Sequence, residues 1–113
     1  MVSGGRQNVI RGISRLPREE FAARRYGVTK TPYFSIKTKK NKGESRRLGV
    51  VAGKSAAKTA TERNFLKREA RGALRDIILP GMDVLVIFFS GAKELTKRRL
   101  WEVLRETATR AQS

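Results

Sequence analysis

Val84-Leu85-Val86-Ile87-Phe88-Phe89 is a continuous apolar run in a chain of 113 residues that carries 26 Lys and Arg against 10 Asp and Glu. A run so short and so uniformly apolar suits a central strand covered on both faces. It is far below the roughly 20 residues that a membrane span requires, so no membrane association is expected. Whatever covers this strand must come from the amphipathic segments around it.

Two such segments are helical in period. Leu66, Ala70, Ala73, Leu74 and Ile77 form an apolar stripe in a helix that starts at Ala56 or Thr59, runs to about Ile78 and ends at Leu79-Pro80-Gly81. A last helix starts near Thr96 and buries Leu100, Val103, Leu104 and Ala108, with Arg98–Glu102 and Glu106–Arg110 as i,i+4 pairs. A short helix is predicted from Pro17 to Tyr26, with Glu19 and Glu20 behind the proline, Arg24 and Arg25 at its end, and Gly27 closing it. Between these, Tyr33–Lys39 alternates Phe34, Ile36 and Thr38 with Ser35, Lys37 and Lys39, which is a strand with one apolar and one basic face. Arg46–Ala52 is a second strand, and the two read as a hairpin across the loop Lys40–Ser45. The order helix, strand, strand, helix, strand, helix predicts an α+β sandwich with a helix linking two strands of one sheet. Residues 1–13 are expected to be a flexible basic N-terminus and 14–113 a single folded domain.

The formal charge is +16, and it is spread along the chain: residues 1–47 carry +10 and residues 48–113 carry +6. So much like charge on a small fold is self-repelling, and a polyanionic partner relieves it. The absence of Cys and His excludes thiol chemistry, disulfides, Cys/His zinc sites and imidazole catalysis. Met1-Val2-Ser3-Gly4-Gly5-Arg6 has no apolar core of a secretory signal, so the expected location is the cytoplasm. Gly49-Val50-Val51-Ala52-Gly53-Lys54-Ser55 has only three residues between its glycines where a nucleotide phosphate loop needs four, and Lys54 is better read as part of a basic turn near RNA phosphates.

The informative segment is Thr61–Arg75. Arg63, Lys67, Arg71 and Arg75 recur every fourth residue along one helix face, and Asn64 and Arg68 widen that stripe opposite the apolar one. A solvated helix face is the ordinary reading of such a run, but four aligned cations repel one another unless an anion lies against them. Guanidinium forks and lysine charges are what RNA phosphates accept.

Arg63-Asn64-x-x-Lys67-Arg68-x-x-Arg71-x-x-x-Arg75 resembles the signature helix of the bacterial ribonuclease P protein subunit. Arg47-Leu48-Gly49-Val50 and Ala60-Thr61-x-Arg63-Asn64 resemble the strand and loop before that helix. Leu79-Pro80-Gly81-x-Asp83-Val84-x-Val86-Ile87 resembles its passage into the central strand, and Glu94-Leu95 through Leu104 its last helix. Leu16–Phe21 and Tyr33-Phe34 match more loosely, so the resemblance covers roughly residues 16–110.

The resemblance implies a two-layer α/β sandwich of the ribosomal protein S5 domain 2-like type with a left-handed β-α-β crossover. It implies a protein subunit with no catalytic residue of its own, one copy per RNA, that assists a catalytic RNA in removing the 5′ leader of precursor tRNA. Mg²⁺ is then the cofactor, held mainly by the RNA and substrate, and no metal site is expected on the protein. Carried over by position, Arg63, Asn64, Lys67, Arg68, Arg71 and Arg75 face the RNA, with Lys54 and Lys58 in the preceding loop. Phe21 matches the aromatic of a leader-binding groove between the first helix and the sheet. Phe34 either joins that groove or packs in the core. Lys37 stands where the groove has a second aromatic, Phe88-Phe89-Ser90 replaces an expected basic residue, Glu69 dilutes the stripe, and Gly72 weakens the helix by about 1 kcal/mol. Two other readings fit parts of the pattern. A structural RNA-binding protein of ribosomal type shares the binding physics, whereas a stand-alone nuclease lacks an acid or imidazole constellation for hydrolysis.

Overall fold

A computed structural model describes residues 13–22 and 26–113. The apolar run becomes strand β5 (Met82–Phe88), at the centre of a five-stranded mixed sheet with order β1-β4-β5-β3-β2. The other strands are β1 (Ser14–Arg15), β2 (Gly27–Lys30), β3 (Phe34–Lys40) and β4 (Arg47–Val51). Helix α1 (Ala60–Leu74) connects β4 to β5, and α2 (Lys97–Ala111) follows β5. The predicted two-layer α+β arrangement is therefore observed.

β3 and β4 do not form the predicted hairpin. β5 inserts between them, antiparallel to β3 and parallel to β4. The most apolar strand takes the place with most cover, since a strand paired on both edges loses most of its contact with water, and five of the seven residues of β5 are buried. The predicted first helix is also corrected. Its described part is a single 3₁₀ turn, Arg18–Glu20, in which Glu20 and Phe21 donate to the carbonyls of Pro17 and Arg18. Residues 23–25 and 1–12 lie outside the described residues. Tyr26 and Gly27 are not helical: Gly27–Lys30 pairs antiparallel with Ser35–Thr38, and a sheet partner outcompetes a helix too short to be stable alone.

One face of the sheet presents Leu48, Val50, Val84, Val86, Phe34 and Ile36 to the helices, where Leu66, Ala70, Ala73, Leu74, Leu100, Leu104 and Ala108 complete the core. Ile13 packs against that core as well. Thr59 caps α1, its hydroxyl accepting from Glu62 N at 3.1 Å while Glu62 Oε1 accepts from Thr59 N at 3.3 Å. The helix ends at Leu74, earlier than the apolar period suggested. Gln112 closes the turn beyond it by accepting from Leu79 N at 2.8 Å and donating to Ile77 O at 3.0 Å. Thr96 caps α2 where predicted, and of the two exposed i,i+4 pairs only Arg98–Glu102 comes within reach, at 3.9 Å.

Candidate nucleic-acid interface

α1 turns its cations away from the core. Asn64, Arg68, Arg71 and Arg75 are exposed, and Arg63 and Lys67 are half-buried along the same surface. Arg63 also ties the β4–α1 loop to the helix, its Nη1 donating to the carbonyls of Ala57 (3.1 Å) and Lys58 (3.0 Å). Ala56 and Ala57 anchor that loop in the core, leaving Lys54 and Lys58 exposed on either side. The predicted RNA-facing residues thus lie on the outer side of α1 and on the loop that leads into it.

Glu69 offsets only Arg68 on this surface. It points to α2, where it is buried, accepts from Trp101 Nε1 at 2.8 Å and lies 3.8 Å from Lys97 and 3.6 Å from Arg68. Gly72 lies beside it because the indole needs the space. A β-carbon there would stand 2.9 Å from Trp101 Cζ2. Two residues that read as defects in a basic helix are its seat against α2.

The opposite sheet face carries different chemistry. Gly49, Leu85, Lys37 and Val28 form one row across β4, β5, β3 and β2. The Phe21 ring lies over Gly49 so closely that a β-carbon there would meet Phe21 Cε1 at 2.8 Å. Phe21 is half-buried, Lys37 is half-buried and Val28 is 54% exposed, so the row runs from an aromatic ring to a cation to an apolar surface. An unpaired base can stack on such a ring while its phosphate meets the lysine.

Next to this row Asp83 is fully buried between two strands. Arg47 Nε and Nη2 donate to its two oxygens at 2.7 and 2.8 Å, Lys39 Nζ lies at 3.1 Å and Asn41 Nδ2 donates at 2.9 Å. Burial pushes the carboxyl up, but these donors outweigh it and hold Asp83 below its ordinary value. Lys39 also donates to Glu20 at 2.9 Å, and that hydrogen bond raises its pKa. The Tyr26 hydroxyl donates to Glu20 O at 3.0 Å. Glu20 is adjacent to Phe21, so this network fixes the turn that aims the aromatic ring.

A family model, Ribonuclease P, matches residues 13–112. The chain belongs to the ribonuclease P protein family. The ribonuclease P protein component of Edwardsiella ictaluri (strain 93-146) is 40% identical over 76 residues, 66% of this chain and 64% of that protein. That of Ralstonia pickettii (strain 12J) is 43% identical over 61 residues, 52% of this chain and 44% of that protein. The chain therefore matches less than two thirds of the length of these curated relatives. The Staphylococcus aureus RNase P protein superposes with a TM-score of 0.78 at 23% identity, covering 89% of this chain and 97% of that one, which shows the same fold. The Thermotoga maritima RNase P protein gives 0.58 at 28% identity, over 73% and 84%.

In this ribonuclease P family member Phe34 takes the core, not the groove, of the two places expected for it. Phe34 is 0% exposed, on the helix side of the sheet, with its ring edge-on to Phe88 at 5.8 Å. The alternation of β3 that puts Lys37 on the open face puts Phe34 on the other. Phe88 is likewise core, which accounts for an apolar residue where a basic one was expected. Sequence reasoning missed Val28 because only Gly27 of β2 entered it, as the residue closing a helix, and missed the role of Gly49 because glycine within a strand carries no signal of what packs above it.

Proposed function

We propose that this chain is the protein subunit of ribonuclease P and that its two faces hold two RNAs. The basic face of α1, with Lys54 and Lys58, binds the catalytic RNA. The row Phe21–Lys37–Val28 takes the single-stranded 5′ leader of precursor tRNA, favouring substrate over mature tRNA. The observation that carries this reading is the segregation itself: exposed cations on the helix layer, and on the far side of the sheet an aromatic ring over β4 with a lysine in the same cross-strand row on β3.

Endonucleolytic removal of the leader is then carried out by the RNA, with Mg²⁺ held by the RNA and the substrate, and one protein copy acts per RNA in the cytoplasm. The buried carboxylates do not suit a metal. Asp83 is surrounded by Arg47, Lys39 and Asn41, and Glu69 is engaged by Trp101. The protein contributes binding and orientation, lowering the Mg²⁺ concentration at which two polyanions can approach.

The test is cleavage of a 5′-leader precursor tRNA at low Mg²⁺ by the protein alone, by a bacterial ribonuclease P RNA alone, and by the two together. Rescue confined to the mixture supports the subunit reading. Binding without rescue points to a structural RNA-binding protein, and cleavage by the protein alone overturns the assignment of chemistry to the RNA.

A further inference from the structure

At the edge of the sheet a cleft gathers cations that the helix stripe alone does not account for. Strand β1 pairs parallel with β4, setting Ser14 beside Arg47 and Arg15 beside Leu48. Arg15 therefore projects to the helix side of the sheet with Leu48, toward the last turns of α1. There Ile13, Ser14, Arg15, Leu48, Arg71 and Arg75 line a cleft of about 380 Å³. Among the described residues, no acidic one lines it. Of the three arginine side chains none has, among the described residues, a hydrogen-bond partner or a close ion pair, and only Arg75 feels a carboxylate, that of the neighbouring Asp76, whereas Lys39, Arg47 and Arg105 are each matched to a carboxylate in direct contact.

Three guanidinium groups gathered around an apolar floor repel one another unless an anion lies between them. The volume is at the small end of ligand clefts and suits a single nucleotide, not an extended strand. Planar forks supplied by two elements can match phosphate oxygens, and Ile13 with Leu48 offers an apolar surface for a ribose. The cleft is continuous with the α1 stripe through Arg71 and Arg75, and it lies on the other side of the sheet from Phe21 and Lys37.

We propose that Arg15, Arg71 and Arg75 form a pocket for one backbone nucleotide of the catalytic RNA, with the phosphate held between the guanidiniums. This rests on the ribonuclease P reading above and extends the RNA-binding surface from α1 onto the edge strand. Arg71 and Arg75 near the end of α1 also favour the helix dipole, which gives them a second reason to be there. Arg15 has no such role, and it is the residue that tests the pocket.

The experiment is a titration of the full-length protein into a labelled bacterial ribonuclease P RNA at several salt concentrations, with Arg15→Ala, Arg15→Lys, Arg71→Ala and the double alanine variant. Precursor and mature tRNA binding to the assembled complexes is measured alongside. Arg15 is exposed, so melting temperatures should stay unchanged. Arg15→Ala is expected to weaken RNA binding about tenfold and to reduce the salt slope by about one. Arg15→Lys should recover part of the loss, and the double variant should lose less than the product of the single losses. Wild-type affinity and slope in Arg15→Ala, with Arg71→Ala impaired, would overturn the pocket and leave the subunit reading standing. A loss of precursor-over-mature discrimination in Arg15→Ala, with RNA-subunit affinity intact, would assign the cleft to the leader and overturn the occupant named here. If the wild-type protein binds this RNA no tighter than an unrelated structured RNA, the subunit reading falls and the pocket with it.

Discussion

Asp83 on β5 grips Arg47 on β4 through two hydrogen bonds, at 2.7 and 2.8 Å, inside the sheet. Together with Lys39 on β3, also in contact with Asp83, this ties the three central strands at one level of the fold. Removing the charge strands two cations against a neutral group. Asp83→Asn is expected to destabilise the protein by about 3–5 kcal/mol, read as a fall in the urea midpoint. An unchanged midpoint would mean that the pair contributes specificity without stability.

The same carboxylate sets the acid limit. Asp83 titrates below its unfolded value, so the stability it contributes is complete above about pH 4 and is lost as pH falls through the lower folded value. Lys39 works in the opposite sense. Its raised pKa contributes stability below about pH 10 that disappears at higher pH. Melting temperature should therefore be flat through neutrality and fall on the acid side, and Asp83→Asn should flatten that acid limb.

Gly72 and Trp101 set the distance between the helices. Alanine at Gly72 would gain about 1 kcal/mol of helix propensity. It would also drive a β-carbon into an indole that Glu69 holds at 2.8 Å. Overpacking of this kind costs about 1–3 kcal/mol, so Gly72→Ala should be net destabilising despite the better helix former. Tryptophan fluorescence should shift as the ring is displaced.

Phe21 depends on Gly49. Gly49→Ala places a β-carbon 2.8 Å from the ring and should move it off the sheet. The expected result is weaker precursor tRNA binding with little change toward mature tRNA. Phe21→Ala should lose the stacking contribution of about 1–3 kcal/mol by the same readout. Equal losses for both tRNAs would remove the leader from this groove.

Arg63 and Arg71 should separate stability from affinity. Arg71→Glu is expected to abolish rescue at low Mg²⁺ with the melting temperature unchanged, and Lys67→Glu should act in the same direction. Arg63→Ala should lose both, because its guanidinium also holds the carbonyls of Ala57 and Lys58. Each hydrogen bond of this type contributes about 1 kcal/mol or more.

The basic stripe and the two helices were legible because a helix imposes its period on the sequence: Leu66, Ala70 and Leu74 repeat at core spacing, and Arg63, Lys67 and Arg71 at solvent spacing. The family resemblance was legible for the same reason, since its motifs are local. Ser14–Arg15 and Gly27–Lys30 were not legible as strands. Each is short, and its strand character comes from a neighbour distant in sequence, β4 for one and β3 for the other.

By itself the sequence determined that a basic chain would build one apolar central strand, cover it with helices and present aligned cations to a polyanion. Periodicity and composition act locally, and they needed no partner segment to be read. Only the tertiary structure decided that β5 separates β3 from β4, that Phe34 faces the core while Lys37 faces the groove, and that Glu69 and Gly72 serve the helix interface. It also brought Arg15 to Arg71. Strand order, facing and approach distance depend on long-range pairing, where burial of the whole sheet outweighs the preference of any single segment.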